Sequence, residues 1–375
     1  MPAPTIWATQ PFKALYIAAF IVKTPIKLIL LSALYLFKRP LPGRSIPHNL
    51  VASLTRMIFD LCAAARLPYL LWDDPKTAKE QYVLVEPAAA HFYAGPLSAT
   101  DLIKPAPRPL VWLTGLPPKS PSEVKGKRIV LQFFGGAFVV GLGYKHYGPD
   151  VAKTMKNLKA DYVVWADYRL ANESPETGFP AAIQDAVTYY SYLLSLGFES
   201  KNIILTGDSS GGNIVLTLLR YLNWLQEKPK PVLPLPGGVV AFSPWVHITP
   251  TVGKDFYTFA NCTVDTVTSS LGQWGSDSYR PSGKLSDEIE AFISPLHHPF
   301  KTAVPLYIHD GDAEVLYDNI NLFARQMKEL NGDKVRYYTT KLGPHDLLLA
   351  HPGFGMTKEL YEVVTAANDF IESNQ

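Results

Sequence analysis

Cysteine is nearly absent, with Cys62 and Cys262 the only two in 375 residues. They form no CxxC pair and stand in no Cys/His cluster at zinc spacing, so neither a disulfide scaffold nor a metal site is indicated. A single bridge between them stays open. Net charge is equally scarce. Thirty-five Lys and Arg against 33 Asp and Glu leave a formal +2, and no long basic block supplies the electrostatic footprint of a nucleic-acid binder. Nucleic acid is therefore set aside as a partner. No internal repeat is visible. What remains is 47% hydrophobic and 18% charged, long enough to bury a substantial core as one large α/β domain with additions.

The first stretch differs from the rest. Ala14 to Phe37 reads ALYIAAFIVKTPIKLILLSALYLF, nearly all apolar apart from Lys23 and Lys27, and Lys38-Arg39-Pro40 follows. About 20 apolar residues span a bilayer, but two lysines and Pro25 make a clean span expensive. The leading expectation is a membrane-associated segment over residues 1–39, with 14–37 spanning the bilayer or lying in its interface, ahead of a domain over 40–375. A helical lid and a cleaved signal peptide are the alternatives; no small-x-small cleavage site follows the apolar run. Lys38, Arg39 and Arg44 oppose Lys13 and the terminal amine, so the side of the membrane is open. The expected location is membrane-associated, at the endoplasmic reticulum. The sequons Asn172-Glu173-Ser174 and Asn261-Cys262-Thr263 permit a luminal domain. Oligomeric state has no signal.

Beyond Pro40, short β-rich runs alternate with helical patterns, the signature of a mostly parallel sheet covered by helices. Strands are expected at YVLVE, RIVLQFF, YVVWADY, NIILTG, GVVAFS, PLYIHDG and KVRYYTTK. Helices are expected at Pro180 to Leu196, Gly211 to Leu225, Tyr317 to Leu330 and Met356 to Ile371. The proline-rich region from Pro40 to Pro121 and the stretch Val246 to His298 are expected to build a cap over one end of the sheet.

Gly207-Asp208-Ser209-Ser210-Gly211 fits G-x-S-x-G between a predicted strand and a predicted helix, the setting of a nucleophile elbow. Serine is a weak nucleophile until a base takes its proton, so a histidine and an acid are needed later in the chain. Among nine histidines, His345 in KLGPHDLLLA lies just after the last predicted strand, where the order Ser, acid, His puts the base. His297 and His298 fall in the presumed cap, and His351 is expected at the surface. The strand VPLYIHDG ends in Asp310, Asp312, Glu314 and Asp318, and spacing alone does not choose among them.

Several ordered motifs over roughly residues 125 to 370 resemble the hormone-sensitive-lipase-like branch of the α/β-hydrolases, related to carboxylesterases and arylacetamide deacetylases. FFGGAFVVG resembles the His-Gly-Gly-Gly oxyanion loop, and DYRLANESPETGFPAAIQD the Tyr-Arg-Leu-Ala-Pro-Glu segment. GDSSGGN is the elbow, SPW and SPL bracket the cap-like region, and GDAEVLYD and GPHD occupy the acid and base positions. The resemblance implies an α/β-hydrolase fold with a mostly parallel central sheet. It implies Ser209 as nucleophile, His345 as base and Glu314 as acid, with Asp312 as the alternative. It further implies an oxyanion hole from the N–H groups of Gly135, Gly136 and Ser210.

Phe134 stands where the family has histidine, and Ala137 where it has the third glycine. An apolar wall near the scissile group and a narrower or more hydrophobic substrate are expected from Phe134. The activity implied is hydrolysis of a carboxylic ester of a lipophilic small molecule through an acyl-enzyme, with no metal or organic cofactor. Acyl transfer, amide hydrolysis or ring closure at the same residues, and a ligand-binding relative, are the alternatives.

Overall fold

The apolar runs in the middle of the chain are buried at every position, as strands covered on both faces require. The computed structural model describes residues 5–375 except 99, 173, 175 and 230–232. Its strands are β1 (Tyr82–Val85), β2 (Arg108–Trp112), β3 (Ile129–Phe133), β4 (Tyr162–Ala166), β5 (Ile203–Asp208), β6 (Gly238–Phe242), β7 (Leu306–Gly311) and β8 (Val335–Thr340). They make one sheet in the order β1-β2-β4-β3-β5-β6-β7-β8. β2 runs antiparallel to both neighbours, and the pairings from β4 to β8 are parallel. β3, β5, β6 and β7 are buried throughout, whereas β8, at the edge, alternates between buried and exposed positions.

Helices α1 (Phe12–Tyr35), α2 (Ile46–Ala65), α3 (Tyr144–Met155), α4 (Ala181–Ser195), α5 (Ser210–Gln226), α6 (Ser269–Tyr279), α7 (Asp287–Ile293), α8 (Tyr317–Asn331), α9 (Leu347–Phe354) and α10 (Thr357–Asn374) complete the chain. α4 packs against α5, and α3 against α10. α2 packs against α6 and α9 at the end of the sheet that carries the elbow, so the roof comes from both expected regions.

The proline-rich region nevertheless divides: 46–65 joins the roof, while 82–85 and 108–112 form the sheet edge. β2, α2, α3, α6, α7 and α9 are additions to the sequence reading. Arg108-Pro109 begins β2, Ser45 caps α2 by accepting from the His48 N–H at 3.3 Å, and Gly148-Pro149 lies inside α3. Such turn-forming residues hide an element when they fall at its start or in its first turns. Both cysteines are free thiols.

α1 is 24 residues long, with a mean hydropathy of 1.9 in its most apolar window and no residue of that window buried. It lies along α2, with the Tyr35 hydroxyl 2.8 Å from Ser53 Oγ.

The segment after β4 is fixed by an ion pair. Arg169 donates from Nη2 to Asp185 Oδ1 at 2.7 Å and to Gln184 Oε1 at 3.0 Å, and from Nη1 to the Lys104 carbonyl at 2.8 Å. Asp185 is fully buried. Arg169→Met would leave that carboxylate to Arg108, whose Nε lies 3.6 Å from Oδ2, and removing one partner of a buried ion pair costs about 3–5 kcal/mol. A loss of that size in the free energy of denaturant unfolding is expected; a change within 0.5 kcal/mol, roughly the scatter of neutral surface substitutions, would show that the pair is not a determinant of this segment.

Candidate active site

β5 ends at Asp208 and α5 starts at Ser210, so the chain reverses within one residue. Ser209 takes φ 53° and ψ −115°. Its N–H donates to the Phe242 carbonyl at 2.9 Å, and its carbonyl accepts from Trp245 N–H at 2.9 Å and Asn213 N–H at 3.0 Å. A Cβ at Gly211 would stand 2.0 Å from the Phe133 carbonyl oxygen, so only glycine allows β3 and α5 to approach this closely.

Ser209 Oγ lies 2.9 Å from His345 Nε2, and His345 Nδ1 lies 2.7 Å from Glu314 Oε2. Glu314 is fully buried and its Oε1 accepts the Gly311 N–H at 2.9 Å. The other acids point elsewhere. Asp312 Oδ1 accepts the Leu342 N–H, Asp310 Oδ2 accepts the Tyr337 hydroxyl at 2.7 Å, and Asp318 sits in the first turn of α8. His351 is buried at 4% exposure, not at the surface as expected, with Nδ1 3.1 Å from the Leu348 carbonyl.

Burial works against a charged imidazole at His345. The Glu314 hydrogen bond and the charges of Glu314, Asp265 and Asp346 outweigh it and carry the group up to about 9.

The loop after β3 corrects two expectations. Gly135 N–H does not point at the reacting end of Ser209: it donates to Asp208 Oδ2 at 2.6 Å. A Cβ there would meet that same oxygen at 2.5 Å. Gly136, at φ 111°, and Ala137 line the cavity beside Ser209 instead, and Ser210 N–H, at the first position of α5, has no partner within its helix. Phe134 also turns away. It is buried, stacks on Tyr168 at 4.6 Å and Trp165 at 5.5 Å, and forms no part of the cavity wall. The loop needs no histidine to hold it, because the Tyr168 hydroxyl donates to the Phe134 carbonyl at 2.8 Å and Ala171 N–H to the Phe138 carbonyl at 2.7 Å.

Above Ser209 and His345 is a cavity of about 440 Å³. Its walls are mostly apolar: Val51 and Phe59 from α2, Leu142, Trp245, Phe256, Val267, Leu271, Val315, Leu349 and Phe354. The α2 contribution has no signal in the sequence beyond helical spacing. Among the described residues, no group of His, Cys, Asp and Glu is arranged to hold a metal ion.

One sequon carries its own constraint. Asn261 Nδ2 donates to the carbonyls of Asp312 at 2.9 Å and Glu314 at 3.1 Å, so this side chain is engaged with the acid loop. The other sequon includes residue 173, outside the described residues.

Residues 130–349 match the family described as alpha/beta hydrolase fold. An esterase of Acinetobacter venetianus is 25% identical over 211 residues, 56% of this chain and 64% of that protein. The carboxylesterase/phospholipase LipF of Mycobacterium tuberculosis is 27% identical over 207 residues, 53% of this chain and 51% of that one. The match thus spans between half and two thirds of these relatives' length. A crystal structure of an esterase from the bacterial hormone-sensitive lipase family superimposes with a TM-score of 0.61 at 20% identity, covering 88% of this chain and 99% of that chain, a likeness of fold. With its elbow, its eight-stranded sheet and a family match over more than half of its length, the chain belongs to the α/β-hydrolases.

Proposed function

We propose that the protein is a serine hydrolase that cleaves a carboxylic ester of a lipophilic small molecule. The observation that carries this reading is the unbroken chain of contacts from Ser209 Oγ through His345 to Glu314 on the floor of an apolar cavity. The esterases among its relatives add support from family.

His345 Nε2 takes the Ser209 proton as Oγ attacks the ester carbonyl. Glu314 holds Nδ1–H, and with it the tautomer, and stabilises the imidazolium. The developing oxyanion is received by main-chain N–H groups of Gly136, Ala137 and Ser210, aimed before the reaction begins. The alcohol leaves with the proton from His345, and water activated by the same nitrogen releases the acyl group. The mostly apolar walls favour a lipophilic substrate, since burial of apolar area is the main attraction they offer.

We further assign α1 to a membrane, as an anchor or interfacial helix, with residues 40–375 as the hydrolase domain and its roof. Support comes from its length and its exposed Ile21, Val22, Ile26, Ile29 and Leu30. The expected result of a vesicle flotation assay is that full-length protein floats and a chain lacking residues 1–39 stays at the bottom; equal behaviour would make α1 a lid.

Exposure to a fluorophosphonate followed by peptide mapping is expected to give one adduct, on Ser209, and Ser209→Ala and His345→Ala are each expected to abolish ester turnover in a folded chain. Glu314→Gln should cost far more rate than Asp312→Asn; the reverse would move the acid, and no adduct on folded protein would remove the hydrolase reading.

Only neutral imidazole serves as base. With the folded-state group raised to about 9, kcat/KM should climb with pH through neutrality and level off above about 9, the reporter of the free enzyme's base. A plateau already reached at pH 6 would mean that the carboxylates do not raise His345.

A further inference from the structure

The roof segment between Asn261 and Thr268 has little regular structure, yet its one acidic residue is among the most buried in the chain. Asp265 is fully buried. Its Oδ2 accepts the Val315 N–H at 2.8 Å, and its Oδ1 accepts the His345 N–H at 3.1 Å and the Thr266 N–H at 2.7 Å. Val315 adjoins Glu314, so one carboxylate grips the main chain of the base and the residue beside the acid. Asn261, from the same segment, grips the acid loop through the Asp312 and Glu314 carbonyls.

The segment is itself held from below α1. Arg56 Nη1 donates to the carbonyls of Asp265 at 2.8 Å and Val267 at 3.2 Å. Arg44 donates from Nη1 to the Val264 carbonyl at 3.2 Å and from Nε and Nη2 to the Leu342 carbonyl at 3.2 and 3.1 Å.

We propose that Asp265 is a positioning residue for the Glu314–His345 pair, supplied by the roof, so that a seated roof is a condition for an aligned pair. This rests on the hydrolase reading above. Three main-chain N–H groups converge on two oxygens, a task for an ionised carboxylate with its several lone pairs. An amide has one acceptor oxygen, and its NH₂ group would confront an N–H it cannot satisfy. Misplacing a reacting group by an ångström costs about 100-fold in rate, so main-chain restraint at His345 is consequential.

Asp265 also acts through its charge. The charged groups facing His345 are Glu314 from the loop after β7, Asp265 from the roof and Asp346 at the start of α9. Those facing Asp265 are Glu314, His345 and Arg44, with Arg56 against its main chain. Removing the Asp265 charge therefore lowers the pH at which His345 loses its proton, an effect that a purely structural support would not have.

The test is Asp265→Asn in the full chain, read by ester kinetics and fluorophosphonate labelling across pH and by NMR titration of the His345 ring. The expected result is a kcat lower by about tenfold to 100-fold with KM within about twofold, and a His345 midpoint displaced to lower pH by both methods. Unchanged kcat with an unchanged titration overturns the proposal. So does a loss of rate that follows thermal unfolding while the titration stays in place. If the wild type shows neither labelling nor turnover, the hydrolase reading falls, and the His345 titration of Asp265→Asn still decides the role of Asp265. Should that variant not fold, amide hydrogen exchange in the wild type decides: slow exchange at both Val315 and His345 supports the grip, and fast exchange at both overturns it.

Discussion

The backbone of Ser209 is the constraint on which the site depends. A non-glycine residue at φ 53° and ψ −115° lies in a sparsely populated region that costs on the order of 1–3 kcal/mol and persists only where its surroundings over-determine it. Here they do. The Ser209 N–H and carbonyl are both engaged, by strand β6 on one side and by Trp245 and Asn213 on the other. Gly211 lets α5 press against the end of β3. With the turn so fixed, Oγ has one direction to point, and that direction is His345. The loop after β3 is tied to the same turn through Asp208, which takes Gly135 N–H on one oxygen and Gln132 Nε2 on the other at 2.8 Å.

That arrangement concentrates negative charge. Asp265, Glu314 and Asp346 face a single imidazole, and Asp208 lies against Asp346. Burial pushes Asp208 well up, and the Asp346 carboxyl within hydrogen-bond reach pushes it further. Burial raises Asp346 as well, although the charge of His345 and the hydrogen bond with Asp208 oppose the rise. Glu314 and Asp265 have different surroundings. Burial pushes Glu314 up, against the hydrogen bond and charge of His345 and the Gly311 N–H, and Asp265 meets main-chain N–H groups on both of its oxygens. A charged imidazole at His345 is thus favoured from two sides, by Glu314 through a direct bond and by Asp265 from the roof.

Most of the sheet was legible because the central strands open on short, β-branched apolar runs that are too brief for helices and are bounded by glycine and proline. Ser209, Glu314 and His345 were legible because the elbow, acid and base occur in motifs of fixed order. Less visible were features that depend on which way a group points. Gly135 and Gly136 are equivalent in FFGGAF, and only the position of the Asp208 carboxylate separates them. Phe134 reads as a wall of the site, yet Trp165 and Tyr168, one strand and one loop away, draw it to the outside. Asp265 has no local signal at all. It is a single acid in NCTVDTVT, and its role arises from contacts 50 and 80 positions distant.

The same distance explains why α2 matters more than its sequence suggests. Ser45 starts it, Arg66 ends it in the left-handed region at φ 48°, and its residues Val51, Thr55 and Phe59 reach the cavity. Arg44 and Arg56 hold the roof segment that carries Asp265. α1 lies along this helix with its apolar surface exposed. Cavity wall and the anchoring of the roof segment therefore meet on and beside one helix, so the roof touches the site as well as enclosing it.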